Sequence, residues 1–550
     1  MYRQIAGKLA GWGASRQLKR FFDAAGDPSR AQKQMLARQL TLLSGSDFAR
    51  DHRLATVDTY DDFVRRVPIR RYEEFGKYIE PLKLGRTEAL FARDERLVMF
   101  AMTSGTTGQA KHIPVTRRSL ADYRRGWNVF GLRALVDHPS AFFRKIVQVT
   151  SPMREEKTPG GHWCGAITGL LAETQKWIVR KHYVTPPAVA GIKDPLAKSY
   201  TVVRLALTED VSFISTANPS TVLRLAQTMA AHSDQLIRDV YAGELTPPGD
   251  LPTEVADVLK SRLKPNRRRA NQLEAICSKN GALLPKDVWN LAFLANWTGG
   301  TLKLYLSRFP EFFGNVPIRD IGLLASEGRF SIPIEDNTPA GILELTGNLL
   351  EFIPEQDYGQ SSPTVLRPEQ LKVGERYFLI LSNATGLTRY DIGDLVEVVD
   401  FYRRTPMIAF LSKGSHISSV TGEKLSEHQI VEAMDLLSQR LNRKAKIDNF
   451  LVCPHWSDPP YYALTLEHSV SADHGQIIQQ EFDAILQKLN IEYQAKRASL
   501  RLGPCRLQRV PDGFFQGDDL KRLACGGRSE QYKRKFLLTQ IDGDKDLPIG

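Results

Sequence analysis

The chain has 550 residues, with 74 Lys and Arg against 62 Asp and Glu and a formal net charge of +12. At 42% hydrophobic and 25% charged residues it has the composition of a folded globular protein, which excludes a disordered or fibrous chain and allows a large core or several domains. The positive excess points to anionic partners, either small ones such as a nucleotide and a carboxylate or a nucleic acid.

The first 60 residues read as helical. Asp27-Pro28-Ser29 is a helix start, Met35, Leu36, Leu40 and Leu43 follow at helical spacing, and Gly45 is a stop. The chain turns at Val67-Pro68, and 72–79 is helical again. The apolar run 97–102 has strand length and feeds into the loop Thr103-Ser-Gly-Thr-Thr-Gly-Gln-Ala-Lys111. After it, 113–116 is extended, and Ser119 begins a helix that reaches at least Leu135. Further strands are expected over 212–215, 321–324 and 377–381. This alternation predicts a large α/β region.

Beyond about residue 411 the texture changes. Ser426 caps a helix with Gln429 three residues on, a capping box running to Leu441. Strands over 449–452 and 461–466, a long amphipathic helix over 475–497 and a strand over 506–510 follow. The expected division is a large N-terminal α/β domain over 1–405, a hinge over 406–412, and a small mobile α+β domain over 413–550.

The five cysteines, Cys164, Cys277, Cys453, Cys505 and Cys525, include no C-x-x-C pair, which argues against a disulfide framework or a zinc site. The chain shows no apolar leader segment and no run approaching the ~20 residues that span a bilayer. The expected location is the cytoplasm.

Four constellations carry chemistry. In 103–111, Thr103, Ser104, Gly105, Thr106 and Thr107 offer hydroxyls and backbone N–H groups to phosphate oxygens, and Lys111 adds a positive charge. The spacing is not that of a Walker loop. Ala325-Ser326-Glu327 follows an apolar run, and a carboxylate there can hold Mg2+ on nucleotide phosphates. Gly393-Asp394 precedes the apolar strand 395–399, and Asp394 can accept both hydroxyls of a ribose. Gln531-Tyr532-Lys533 places a lysine near the chain's end, where a plain basic tail is the competing reading.

These pieces, in this order, resemble the Gretchen Hagen 3 acyl-acid amido synthetases, a branch of the adenylate-forming superfamily. That family's loop S-S-G-T-T-x-G-x-x-K-x-I-P-x-T is similar to 103–116, its A-S-S-E to Leu324-Ala325-Ser326-Glu327, its Y-R-x-G-D to Tyr390-Asp391-Ile392-Gly393-Asp394, and its N-Q-Y-K to Glu530-Gln531-Tyr532-Lys533. Val67–Glu73, Trp297-Thr-Gly-Gly300 and Glu351-Phe-Ile-Pro354 support the likeness.

The resemblance implies ATP as co-substrate, gripped by the loop with Ala325, Ser326 and Asp394. It implies Mg2+ on Glu327 and a catalytic Lys533 that meets charge at the α-phosphate. It also implies an acyl site near Phe130, Arg133, Gly299 and Thr301. The reaction implied is adenylation of a carboxylic acid with loss of pyrophosphate, then attack by an amine, typically an amino acid, with loss of AMP. Transfer to coenzyme A or a carrier protein is the alternative product, and nucleic-acid binding the low-ranked one, since no nucleic-acid module is present. Leu323 stands where the family has an aromatic residue and Asp391 where it has arginine, with Arg389 two positions earlier as a substitute.

Overall fold

In the computed structural model, residues 16–103, 111–299, 303–414, 417–418, 420–421, 423, 425–441, 447–471, 475–498, 500, 502–517 and 534–549 are described. The chain divides into two units. One comprises Met1–Gly299 and Phe309–Phe410, the other Gly300–Arg308 and Leu411–Gly550. No helix among the described residues is long and apolar enough to cross a membrane.

In the first unit, helix α1 (Pro28–Leu43) starts where its sequence says it should. The Asp27 carboxylate accepts from Arg30 N at 3.1 Å, and proline takes the first turn, where its missing N–H costs nothing. Strands β1 (Leu97–Thr103) and β2 (Lys111–Thr116) pair antiparallel with Thr103 opposite Lys111. β1 buries Met99, Phe100 and Ala101 completely and pairs on its other side with Trp163–Gly165. β2 is an edge strand, so Pro114 breaks no ladder there.

Helix α2 (Arg117–Asp137) follows directly. Thr116, not Ser119, is its N-cap; Ser119 is the third residue of the helix and closes the capping box, so the helix begins two residues before the predicted start.

Strands β3 (Lys145–Gln148), β4 (Val211–Ser215), β5 (Phe293–Ala295) and β6 (Ile318–Arg319) form a parallel sheet in chain order. Helices Pro195–Ala206 and Pro219–Ala231, capped by Asp194 and Asn218, lie in its crossovers. The strand predicted over 321–324 is displaced: β6 ends at Arg319 and pairing resumes at Leu324. Between them Gly322 adopts φ +82, and a Cβ there would lie 2.3 Å from Ser331 O, so the chain bends before Leu324 and does not run on as a strand.

β7 (Leu324–Ala325) and β8 (Gly328–Arg329) then make a tight hairpin. A larger sheet follows, built from β9 (Ser331–Ile332), β10 (Gly341–Leu343), β11 (Asn348–Pro354), β12 (Arg376–Asn383), β13 (Tyr390–Tyr402) and β14 (Thr405–Lys413). Its order is β9-β10-β14-β13-β12-β11, and residues 406–412 lie inside β14. Phe48, Phe63, Phe75, Phe91 and Phe100 pack with Leu350, Phe352 and Leu381 of this sheet in one apolar core. Each such side chain contributes roughly 1.5–3 kcal/mol on burial.

The second unit has α3 (Glu427–Arg440), with the Ser426–Gln429 capping box in place. Strands β15 (Phe450–His455) and β16 (Tyr461–Glu467) pair antiparallel. The helix predicted over 475–497 is two, α4 (Gly475–Leu489) and α5 (Ile491–Ala498). Asn490 divides them: its Oδ1 accepts from Tyr493 N at 2.8 Å and its Nδ2 donates to Glu423 O at 3.0 Å, a cap that periodicity does not reveal. Strand β17 (Arg506–Val510) adds to β16 in parallel.

Candidate active site

The loop motif hangs between the paired residues Thr103 and Lys111, so its two ends are fixed by the β1–β2 ladder. Ser104, Gly105, Thr106 and Thr107 lie outside the described residues, as do Thr301 and Lys533. Lys111 is half-buried. Its Nζ donates to the Tyr390 hydroxyl at 3.4 Å and sits 5.4 Å from the Tyr72 ring centre and 5.9 Å from that of Tyr390.

Tyr390 is fully buried, and its hydroxyl donates to Glu327 Oε1 at 3.4 Å. Burial holds this phenol far above its ordinary pKa, helped by the negative charges of Glu327, Asp394 and Asp391. It therefore stays a neutral donor. Lys111, Tyr390 and Glu327, from three separate motifs, thus share one hydroxyl.

Each member has its own support. The segment after Val67-Pro68 docks on Tyr390: Arg70 N donates to Arg389 O at 3.0 Å, and Asp391 N donates to Arg70 O at 2.8 Å. That brings Tyr72 over Lys111, where its hydroxyl accepts from His112 N at 2.8 Å and donates to His112 O at 2.9 Å. Tyr72 was not singled out from the sequence.

Glu327 sits in the two-residue turn of the β7–β8 hairpin and is 6% exposed. Asn383 Nδ2 donates to its carbonyl at 2.8 Å and to Asn348 Oδ1 at 3.0 Å. A Cβ on Gly328 would lie 2.9 Å from that same Nδ2, so only glycine lets the amide clamp close. Thr116 ties the far end of β2 to this region, donating to Ala384 O at 2.8 Å while it caps α2.

Asp394 is buried on β13 beside a bulge. Phe378 pairs with Leu395 and Ile380 with Asp391, so three residues of β13 face one of β12. Gly393 takes φ +73 there and donates its N–H to Asp391 Oδ1 at 2.9 Å. Bulges of this kind re-aim side chains beside functional sites. Asp391, in the family's arginine position, accepts from Tyr358 at 2.8 Å, and burial raises its pKa. Arg389, two positions earlier, is held in a buried ion pair. Its Nε reaches both Glu351 oxygens at 3.0 and 3.1 Å, and its other nitrogens reach Glu351 and the carbonyls of Val67 and Val64.

The predicted acyl-site residues are less gathered. Phe130 is buried, with Trp127 edge-on at 5.6 Å and the Arg329 guanidinium 5.0 Å from its ring centre. Arg133 pairs with Asp137 at 2.7 Å, and Asp137 also pairs with Arg319 at 2.8 Å. That network closes the end of α2 and does not touch Lys111 or Glu327. Gly299 follows Thr298, whose N–H and hydroxyl both donate to Asp320 Oδ2 at 2.6 Å.

Gly322 N donates to Asp320 Oδ1 at 2.6 Å as well, and burial raises this carboxyl to about 6. Sequence reasoning missed Asp320. Its signal was a carboxylate at the carboxyl end of a parallel strand, the end where α/β sheets place ligands.

The donor set suits magnesium. Glu327 is a hard carboxylate oxygen donor on a fixed turn, and Mg2+ prefers one or two such carboxylates completed by phosphate and water.

Three sequence models of one family match: the GH3 family N-terminal domain over residues 17–318, the central domain over 341–413 and the C-terminal domain over 428–541. Indole-3-acetic acid-amido synthetase GH3.10 of Arabidopsis thaliana is 25% identical over 555 residues, covering 93% of this chain and 92% of that one. Jasmonoyl–L-amino acid synthetase GH3.5 of Oryza sativa subsp. japonica is 23% identical, covering 92% of each. Among solved structures, AtGH3.15 acyl acid amido synthetase in complex with 2,4-DB matches with a TM-score of 0.82 at 18% identity, over 97% of this chain and 95% of that one. The mixed α/β fold is therefore that of the acyl acid amido synthetases, and the chain belongs to the GH3 family.

Proposed function

We propose that this chain joins a small carboxylic acid to an amine, an amino acid by preference, through an acyl-adenylate. A carboxylate oxygen of the acid attacks the α-phosphorus of ATP, and the bond to the β,γ-diphosphate breaks to release pyrophosphate. The amine nitrogen then attacks the acyl carbon and loses a proton, and AMP leaves with the oxygen. The relatives' names support this reading, since each names an amide-forming synthetase of a small acid.

The observation that carries it is the meeting of Lys111, the residue that ends the hydroxyl-rich stretch of sequence, with Tyr390 and Glu327. Three chain segments converge on a cation and a carboxylate that share one phenol. In the proposed site the loop and Lys111 hold the phosphates that depart as pyrophosphate. Glu327 holds magnesium, which when bound offsets phosphate charge. Asp394 takes the ribose hydroxyls, and Lys533 meets charge growing at the α-phosphate. Lys533 lies in the second unit, so closure between the two steps is part of the proposal. Phe130, Arg133, Gly299 and Thr301 are the proposed acyl-side residues, and the cytoplasm the proposed location.

The test is ATP–pyrophosphate exchange across a panel of carboxylic acids, followed by AMP release with amino acids or coenzyme A. Acid-dependent exchange and amino-acid-dependent AMP release are expected. Release driven by coenzyme A alone would replace the amide product with a thioester, and no acid-dependent exchange would sink adenylation.

A further inference from the structure

In the second unit, the last stretch of chain runs back along the edge of β15. Val452 N donates to Phe536 O and Leu538 N to Val452 O, each at 2.8 Å, and Asp542 N donates to Pro454 O at 2.8 Å. Cys453 and His455 are two apart on β15, so their side chains leave the same face. The returning segment sets two carboxylates against the imidazole. Asp542 Oδ1 lies 3.0 Å from Nδ1, and Asp544 Oδ2 lies 2.9 Å from Nε2. The Cys453 sulfur, a His455 ring nitrogen and an Asp544 oxygen all lie within 4.8 Å of one another. Cys453 and the Asp544 side chain are buried, and the His455 side chain is 14% exposed.

We propose that Cys453, His455 and Asp544 form a zinc site, with Asp542 as the carboxylate that orients the histidine. When the Nδ1–H donates a hydrogen bond to Asp542, the Nε2 lone pair is turned toward Asp544. Nε2 and the Asp544 oxygen, 2.9 Å apart, are then two donor atoms that one cation can take as ligands. This carboxylate–histidine pairing is how metal-binding histidines are held. Zinc bonds of about 2.0–2.3 Å put tetrahedral ligands about 3.5 Å apart, within reach of small side-chain rotations here.

One sulfur, one nitrogen and one carboxylate oxygen suit zinc over magnesium or calcium. The buried Cys453 thiol must lose its proton to serve as a ligand. Metal binding expels that proton to solvent, and the thiolate becomes the ligand. Three protein ligands leave a fourth position for water at the exposed side of His455. The cross-link would pin the chain's end to β15 across a long loop, which favours folding.

Cysteine spacing alone argued against zinc, because the carboxylates come from far along the chain. They also lie past residue 541, where the match to the family's C-terminal domain ends.

The test uses the full chain, stripped with chelator and titrated with Co2+ in the absence of ATP. One equivalent is expected to give tetrahedral visible bands and a near-ultraviolet thiolate-to-cobalt band, release about one proton, and be displaced by zinc. Cys453→Ser should abolish the thiolate band while Cys277→Ser keeps it. Asp542→Asn, which leaves the ligands intact, should weaken affinity roughly 10- to 100-fold. Absence of the thiolate band in wild type, or its survival in Cys453→Ser, would overturn the site. So would unchanged affinity in Asp542→Asn. An imidazolium bridging the two aspartates is the arrangement that would then stand.

Discussion

Arg389 and Tyr390 are neighbours in sequence, yet their side chains serve opposite purposes. Arg389 is 3% exposed and saturated: Glu351 takes two of its nitrogens, and the carbonyls of Val67 and Val64 take the third. Glu351 is fully buried and also accepts from Tyr60 at 2.7 Å. Arg389 even holds the left-handed φ of +50, which a long side chain adopts only when its surroundings fix it. Tyr390 makes two long contacts of 3.4 Å, to Lys111 and to Glu327. In one cluster every guanidinium nitrogen has a partner. The other keeps a cation and a carboxylate close to each other without a direct ion pair. Stability is expected to reside in the first cluster and chemistry in the second.

The most direct way to break that comparison is to strip one carboxylate from each. Glu351→Ala leaves the Arg389 guanidinium buried and unpaired, which costs about 3–5 kcal/mol. Urea unfolding should show that loss. A change under about 1 kcal/mol would mean that the pair is not saturated as described. Glu327→Gln should do the reverse. Acid-dependent pyrophosphate exchange should fall by about 10²–10³, the scale of losing one preorganised charge contact, while the urea midpoint moves little. Full exchange in Glu327→Gln would remove Glu327 from the chemistry.

The two clusters were also unequally legible. Lys111, Glu327 and Asp394 stood out because a hydroxyl-rich loop, a carboxylate after an apolar run and a Gly-Asp turn are local signals. Asp27, Ser426 and Gln429 were legible for the same reason, since a cap acts within one turn. Tyr72 gave no local signal and Asp320 only its place after a strand; each acquires its role from a partner brought in by the fold, His112 and Lys111 for one, Thr298 for the other. The setting of Arg389 was hidden in the same way. Its partner Glu351 is 38 residues upstream, and only the sheet shows that they meet. The long helix broken at Asn490 is the converse case, where amphipathic spacing continues through a residue whose side chain caps the next helix.

Asp320 sharpens the comparison through pH. Burial raises its carboxyl to about 6, whereas an unfolded aspartate titrates near 3.9. Between those values the folded state holds the proton more tightly than the unfolded state does. Its contribution to stability is therefore full below about pH 4, falls as pH rises, and is lost above about 6, a change of about 3 kcal/mol. Urea unfolding of wild type and Asp320→Asn from pH 4 to 6.5 isolates it. Wild type should lose stability relative to the variant across that window. Parallel curves would place the Asp320 titration outside it.

The smallest expected effect tests the shared phenol itself. Tyr390→Phe keeps the ring that packs against Phe75 and Lys111 and removes only the hydroxyl. Two bonds of 3.4 Å are long, so the loss should be near 1 kcal/mol, about fivefold in exchange rate. What distinguishes a positioning role is where that loss appears. Without the hydroxyl, Lys111 and Glu327 lose the phenol they share, so the magnesium concentration that half-saturates exchange should rise while the urea midpoint stays within about 0.5 kcal/mol of wild type. A variant that loses stability but keeps its magnesium dependence would place Tyr390 with Arg389, as a core residue that happens to lie beside the site.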